Sequence, residues 1–140
     1  MQKPVTLLLV EDEPAILLAA QDALEDVGFA VLVAADGAEA ITLIETLGDS
    51  ISGLLTDIRL GEGPSGWEIA RHARLMLPDI AILYASASCA EHCETEGAPR
   101  SALLQKPYSG VQLVAAVSAM LAGHGTHQSQ AAKERPDRRA

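Results

Sequence analysis

The sequence predicts an α/β fold in which a parallel sheet of five strands is covered by helices on both faces. Five short apolar segments alternate along the chain with five segments of helical periodicity. The apolar segments are nearly continuous hydrophobic runs, as is typical of strands buried on both faces. With 140 residues the chain suits a single core, and we expect one domain over residues 1–122.

The first half of the chain predicts two strand–helix units and a third strand. The strands are expected at 6–10, 30–34 and 51–56. Pro14 suits the first turn of a helix, where its missing N–H group costs nothing, and Gly28 is a plausible end for that helix. The second helix follows the turn at Asp36 and Gly37. The third strand leads directly into Asp57.

The second half predicts two further strands and three helices. Residues 61–66 form a loop by composition, and a helix over 67–77 ends before Pro78. A strand at 80–85, a weak helix at 88–96 and a strand at 103–105 follow. Ser109 is expected to cap a last helix that ends at Leu121. Residues 123–140 lack an apolar period, and we expect them to be a disordered tail.

Charge and composition exclude several classes of protein. The formal net charge is −9, and residues 1–122 carry six basic against seventeen acidic side chains. Nonspecific binding to nucleic acid requires Lys and Arg to neutralise phosphates, so we expect no nucleic-acid partner. The chain has neither a signal-peptide layout nor an apolar segment of ~20 residues. We therefore expect no membrane partner and a cytoplasmic location, where Cys89 and Cys93 remain reduced.

Polar residues follow four of the five predicted strands. Glu11 and Asp12 follow the first strand, Asp57 the third, Ser86 the fourth and Lys106 the fifth. In an open α/β sheet, ligands bind beyond the carboxyl ends of the strands. Separately, an acid there can be a helix cap or a turn residue. Together they indicate a site.

The chemistry of this set favours magnesium and a phosphoryl group. Neighbouring carboxylates repel one another, and a hard divalent cation such as Mg²⁺, which takes oxygen ligands, removes that repulsion. The Asp57 carboxylate could then attack phosphorus to form an acyl phosphate. Lys106 and the Ser86 hydroxyl could bind phosphoryl oxygens, which is the main requirement of phosphoryl transfer.

Four motifs, in order, resemble the signature of the receiver family of bacterial two-component systems. They are Leu9-Val10-Glu11-Asp12-Glu13, Leu54-Leu55-Thr56-Asp57, Ser86-Ala87 and Gln105-Lys106-Pro107-Tyr108. The resemblance covers about residues 5–122. It implies the flavodoxin-like (βα)5 fold with strand order 2-1-3-4-5.

The resemblance also implies a role for each site residue. Asp57 is the phosphoacceptor, Ser86 the switch hydroxyl and Lys106 the partner of the phosphate. Asp12 would bind the metal directly and Glu11 through water. The implied magnesium ligands are Glu11, Asp12, Asp57 and the backbone carbonyl of Arg59.

The implied function is a phosphorylation-dependent switch that catalyses only its own phosphorylation and dephosphorylation. The phosphoryl donor would be a histidine kinase or a histidine phosphotransfer protein. The target would bind the face formed by the predicted helix at 88–96, the fifth strand and the last helix, and a homodimer is a further option. Residues 123–140 are too few for a DNA-binding domain, so we expect output or phosphate relay through partners, and the Met1 start favours a complete chain.

The sequence departs from the family pattern at the usual switch aromatic. The family carries Tyr or Phe three residues before the lysine, where this chain has Leu103. Tyr84 and Tyr108 are candidates for a mobile ring, and the alternative is that both are static packing. The Leu60-Gly61 pair replaces the usual hydrophobic-Pro pair. The sequences of segments 66–68 and 84–87 are similar to those of stand-alone receivers common in alphaproteobacteria.

Three alternative functions stay open. A pseudo-receiver would use the same fold as an interaction module without phosphorylation. A phosphatase with aspartyl-phosphate chemistry would need an acid two residues after the nucleophile, where this chain has Arg59. A flavodoxin would need a phosphate-binding loop rich in Ser, Thr and Gly after the first strand, where this chain has Glu11, Asp12 and Glu13.

Overall fold

Five parallel strands form one sheet in the order second, first, third, fourth and fifth. The computed structural model describes residues 4–87 and 101–123. The strands are β1 (Thr6–Val10), β2 (Ala30–Ala34), β3 (Gly53–Asp57), β4 (Ala81–Ser86) and β5 (Ser101–Gln105). The helices are α1 (Pro14–Asp26), α2 (Gly37–Leu47), α3 (Gly66–Met76) and α4 (Gly110–Leu121), with a 3-10 turn at Gly48–Ser50. The predicted fold class and strand order are confirmed.

Three of the four described helices, α2, α3 and α4, begin at a polar side chain that satisfies one of their first N–H groups. The Asp36 carboxylate accepts a hydrogen bond from the amide of Glu39 at the start of α2. Ser65 and Ser109 each form a complete capping box, at α3 and α4 respectively. Just beyond α1, Gly28 has a φ of 103°, a conformation that favours glycine.

Two apolar clusters cover the two faces of the sheet. Successive side chains of a strand point to opposite faces. Consequently Leu54 packs with α2 and α3, whereas its neighbour Leu55 packs with α1 and α4. All five residues of β3 are buried, and its position between β1 and β4 makes it the centre of the core.

Some predicted boundaries were wrong by one or two residues. The third strand begins at Gly53 rather than at residue 51, because the amide of Ile51 still donates to the Gly48 carbonyl in the 3-10 turn. β4 is shifted one residue later, to end at Ser86. β5 begins two residues early because Ser101 already pairs with Ile82. α3 likewise starts and ends one residue early.

Some predictions fall outside the described residues. These are the helix at 88–96 and the tail, apart from Gly123. In the parts of the chain that the structure describes, none of the helices has the length and apolar character needed to cross a membrane.

Candidate functional site

The register of the strands brings the predicted site residues to one edge of the sheet. Val10 pairs with Thr56, so the residues that follow β1 lie beside Asp57 at the end of β3. On the other side, Ser86 pairs with Gln105, so Lys106 follows at the same level. The parallel arrangement thus gathers residues from four strands, as the sequence predicted.

Lys106 bridges two of the three acids. Its Nζ atom lies 3.0 Å from Glu11 Oε1 and 3.0 Å from Asp57 Oδ2. The side chains of Glu11 and Asp57 are 3% and 9% exposed, and that of Lys106 is 17% exposed. Both ion pairs are therefore shielded from solvent. Ionic interactions are stronger in such a shielded environment than at an exposed protein surface.

Burial and ion pairing shift the pKa values of these groups in opposite directions. Burial raises the pKa of Glu11 and of Asp57 above their ordinary values, and the hydrogen bond from Lys106 offsets part of this increase. Burial lowers the pKa of Lys106, but its hydrogen bonds to Asp57 and Glu11 outweigh that effect and the net shift is upward. One ammonium group thus incompletely compensates two buried carboxyl groups.

Asp12 joins Glu11 and Asp57 in a cluster of carboxylates. One oxygen atom from each of the three lies within 4.8 Å of the others. Asp12 is exposed, whereas the other two are buried. Three converging carboxylates with one lysine leave an excess of negative charge, and oxygen ligands of this kind suit a hard divalent cation. The donor set therefore fits Mg²⁺.

Glu11 combines this position with a structural contact at the start of α1. Its Oε2 atom accepts a hydrogen bond from the amide of Glu13, at 3.1 Å. The alternative interpretation of this acid as a helix cap is not confirmed, because Glu13 occupies the cap position of α1 and no side chain forms a cap hydrogen bond there. One carboxylate oxygen contacts the main chain before α1, and the other contacts Lys106.

Ser86 and Lys106 are linked through the main chain. The amide of Lys106 donates to the Ser86 carbonyl at 2.9 Å. Ser86 is 9% exposed at the end of β4. Lys106 precedes a cis bond to Pro107. Arg59 is an exposed residue of the loop after β3, two residues beyond Asp57.

The two tyrosines lie on opposite faces of the sheet. Tyr84 is 2% exposed and its ring centroid lies 4.6 Å from that of Trp67, with the rings tilted by 58°. It pairs in register with Leu103, which occupies the usual position of the switch aromatic. Tyr108 packs against the cluster between the sheet and helices α1 and α4. Burial raises the pKa of Tyr108, and the nearby Glu11 carboxyl adds to that shift.

Two residues with no role predicted from the sequence, Thr56 and Gly66, contact the main chain of Asp57. The hydroxyl of Thr56 donates to the Asp57 carbonyl, and Gly66 lies against the same oxygen. Both lie within segments quoted for the resemblance, but their types alone do not indicate a contact with the acceptor.

Comparison with known proteins agrees with the resemblance indicated by the sequence motifs. The response regulator receiver domain family matches residues 7–118. The crystal structure of a response regulator receiver protein from Sinorhizobium medicae WSM419 is similar, with a TM-score of 0.82 and 39% identity. That similarity covers 87% of this chain and 98% of the other.

Two curated relatives are longer proteins. The sensor kinase CckA of Brucella abortus (strain 2308) is 36% identical over 121 residues, which is 83% of this chain and 12% of CckA. The uncharacterized transcriptional regulatory protein YrkP of Bacillus subtilis (strain 168) is 32% identical over 130 residues, which is 91% of this chain and 54% of YrkP. The chain thus spans about half or less of these relatives.

Proposed function

This chain belongs to the response regulator receiver domain family, and we propose that it is a signalling switch controlled by phosphorylation of Asp57. The observation that carries the proposal is the position of the Asp57 carboxylate. It lies in a cluster of three acids that fits Mg²⁺, and 3.0 Å from the ammonium group of Lys106. We propose that residues 1–122 form the receiver domain and that 123–140 are a disordered tail.

In the proposed reaction a carboxylate oxygen of Asp57 attacks the phosphorus of a phosphohistidine. The new O–P bond forms as the P–N bond breaks, and the electron pair of that bond stays on the imidazole nitrogen of the donor. Lys106 already lies beside Asp57, where it can bind an oxygen of the transferred group. The donor is a histidine kinase or a histidine phosphotransfer protein.

Receiver domains bind Mg²⁺ at an acidic pocket of this kind. The residues that would hold the ion here are Glu11, Asp12, Asp57 and the backbone carbonyl of Arg59. When bound, Mg²⁺ supplies positive charge that compensates the carboxylates and the phosphoryl oxygens. Asp12 is the most exposed of the three acids, which supports its role as a direct ligand, with Glu11 acting through water.

The response to phosphorylation is a shift between two arrangements of the region around β4 and β5. Ser86 binds a phosphoryl oxygen, and its main-chain bond to Lys106 links the two strand ends. Tyr84 and Tyr108 are the candidate mobile rings. The contact between Tyr84 and Trp67 supports static packing for Tyr84 before phosphorylation, which leaves the less buried Tyr108 as the stronger candidate.

The target binds the face that includes β5 and α4, or the chain relays its phosphoryl group to a phosphotransfer histidine. The sequence of α4 contains no charged residue, and Val111 on its surface is 82% exposed. An uncharged, partly apolar helix surface is suited to contact with another protein. A second copy of the chain is an alternative occupant of this face. We place the protein in the cytoplasm, where these partners reside.

The test is incubation of the full chain with acetyl phosphate and Mg²⁺, followed by measurement of the intact mass. We expect the mass gain of one phosphoryl group, lost in Asp57→Asn and on removal of Mg²⁺ with a chelator. Asp49→Asn is the matched control and should behave as wild type, because Asp49 is an exposed acid in the turn before β3, whereas Asp57 lies at the other end of that strand.

Two outcomes would contradict the proposal. No mass gain in the wild-type chain favours a receiver fold that acts as an interaction module without phosphorylation. Sustained release of phosphate from small phosphate esters favours a phosphatase. We expect no such turnover, because Arg59 occupies the position where a phosphatase of this chemistry needs an acid to protonate the leaving group.

A further inference from the structure

The carbonyl group of Asp57 lies between a hydroxyl and a glycine. The hydroxyl of Thr56 donates to the Asp57 carbonyl oxygen at 2.9 Å. On the other side Gly66, the first residue of α3, contacts the same oxygen so closely that a Cβ atom on residue 66 would overlap it. The start of α3 can therefore approach the acceptor only because residue 66 has no side chain.

The environment of Thr56 gives its hydroxyl a specific use. The residue is 1% exposed in the middle of the core, and its register partners are Val10 and Tyr84. A buried hydroxyl is costly unless it is hydrogen-bonded, and an aliphatic residue of the same shape would satisfy the packing. The bond to the Asp57 carbonyl is what distinguishes threonine from valine at this position.

The main chain after the acceptor is fixed by two further hydrogen bonds. The amide of Ile58 donates to the Ala85 carbonyl on β4 at 3.1 Å, and the amide of Gly66 donates to the Ile58 carbonyl at 2.8 Å. The peptide groups around Asp57 are thus held by β4, by the start of α3 and by the Thr56 side chain. These contacts fix the main chain from which the Asp57 carboxylate reaches Lys106.

We propose that Thr56 and Gly66 are positioning residues for the phosphoacceptor, and we name this pair the acceptor clamp. The inference rests on the proposed function of Asp57. The clamp holds the main chain so that the carboxylate meets Lys106 and the two acids that follow β1 in the geometry that phosphoryl transfer needs. Because a misplacement of about 1 Å can slow an oriented reaction by about a hundred-fold, the clamp sets the rate of phosphorylation.

The test compares Thr56→Val with Thr56→Ser, which keeps the hydroxyl. In the metal-free full chain, hydrogen exchange at the amides of Ile58 and Gly66 should be about ten-fold faster in Thr56→Val, as expected for the loss of one buried hydrogen bond. Phosphorylation by acetyl phosphate should be about five-fold slower. Thr56→Ser should restore both rates. Thr46→Val removes an exposed hydroxyl–carbonyl bond of α2 and should change neither.

A second variant tests the glycine. Gly66→Ala should slow phosphorylation by more than ten-fold, roughly the cost of a small misplacement of a reacting group. Gly48→Ala is its control, because a Cβ there meets only the Leu77 side chain at 3.4 Å, an ordinary contact. If Gly66→Ala does not fold, Thr56→Val decides the question.

The proposal is wrong if the amides of Ile58 and Gly66 exchange at the wild-type rate in Thr56→Val. It is also wrong if acetyl phosphate phosphorylates Thr56→Ser as slowly as Thr56→Val. The exchange measurement requires neither Mg²⁺ nor a phosphoryl donor. The exchange rates could change as expected while the wild-type chain takes no phosphoryl group. In that case Thr56 still positions the main chain of Asp57, but the proposed function is wrong.

Discussion

Asp57 and Lys106 stand at the ends of two strand–loop–helix units that are built alike but buried differently. In one unit β3 leads to Asp57 and then to α3, and in the other β5 leads to Lys106 and then to α4. Both helices begin with a serine capping box. However, every residue of β3 is buried, whereas β5 lies at the edge of the described sheet and none of its residues is fully buried.

Because of this difference in burial, Asp57 should be harder to displace than Lys106. The acceptor is attached to a strand with neighbours on both sides, so displacing it would disturb both apolar clusters. The lysine is attached to an edge strand, whose displacement disturbs fewer buried contacts. We infer that the acceptor stays in place on phosphorylation and that the lysine side of the pair moves.

The largest effect that tests this comparison comes from shortening one leucine in each strand. Leu54 in β3 is fully buried, and Leu54→Ala should lower the free energy of unfolding by about 3–4 kcal/mol. Leu104 in β5 is only partly buried, and Leu104→Ala should cost about 1–2 kcal/mol. Urea unfolding of both variants measures the difference. Equal losses would show that β5 is as strongly held as β3, against the inference.

A second prediction concerns the ion pair that joins the two units. Lys106→Met leaves the buried carboxyl groups of Glu11 and Asp57 without their shared hydrogen-bond donor, and should destabilise the metal-free protein by about 1–3 kcal/mol. Mg²⁺ should stabilise this variant more than wild type, because the ion compensates the same carboxylates. Unfolding with and without Mg²⁺ measures both effects. An equal gain in the two proteins would argue that the ion does not bind at these acids.

The smallest effect comes from the two capping serines. Ser65→Ala and Ser109→Ala should each lower the unfolding free energy by about 1 kcal/mol, because each loses the same type of cap. Only Ser65→Ala should also slow phosphorylation by acetyl phosphate, because α3 starts against the main chain of Asp57. A slower reaction in Ser109→Ala alone would reverse the roles that we assign to the two units.

Much of the fold was predictable because its signals are local. The apolar runs predicted β1 and β2 at their observed bounds, and Pro14 and Ser109 predicted the starts of two helices. Errors occurred where a neighbour decides the boundary, as at Ser101, which belongs to β5 because Ile82 lies beside it. The 3-10 turn at Gly48–Ser50 was not predicted, since its composition is that of an ordinary loop.

For the site, the sequence by itself determined which groups gather at the carboxyl edge, because residues that follow parallel strands must meet there. Only the tertiary structure decided which of them touch. The sharing of Lys106 between Glu11 and Asp57, the contact of Tyr84 with Trp67 and the approach of Gly66 to the Asp57 carbonyl are such contacts. Contacts of this kind depend on where each helix lies relative to the sheet. That position is set by tertiary packing rather than by the local periodicity of the sequence.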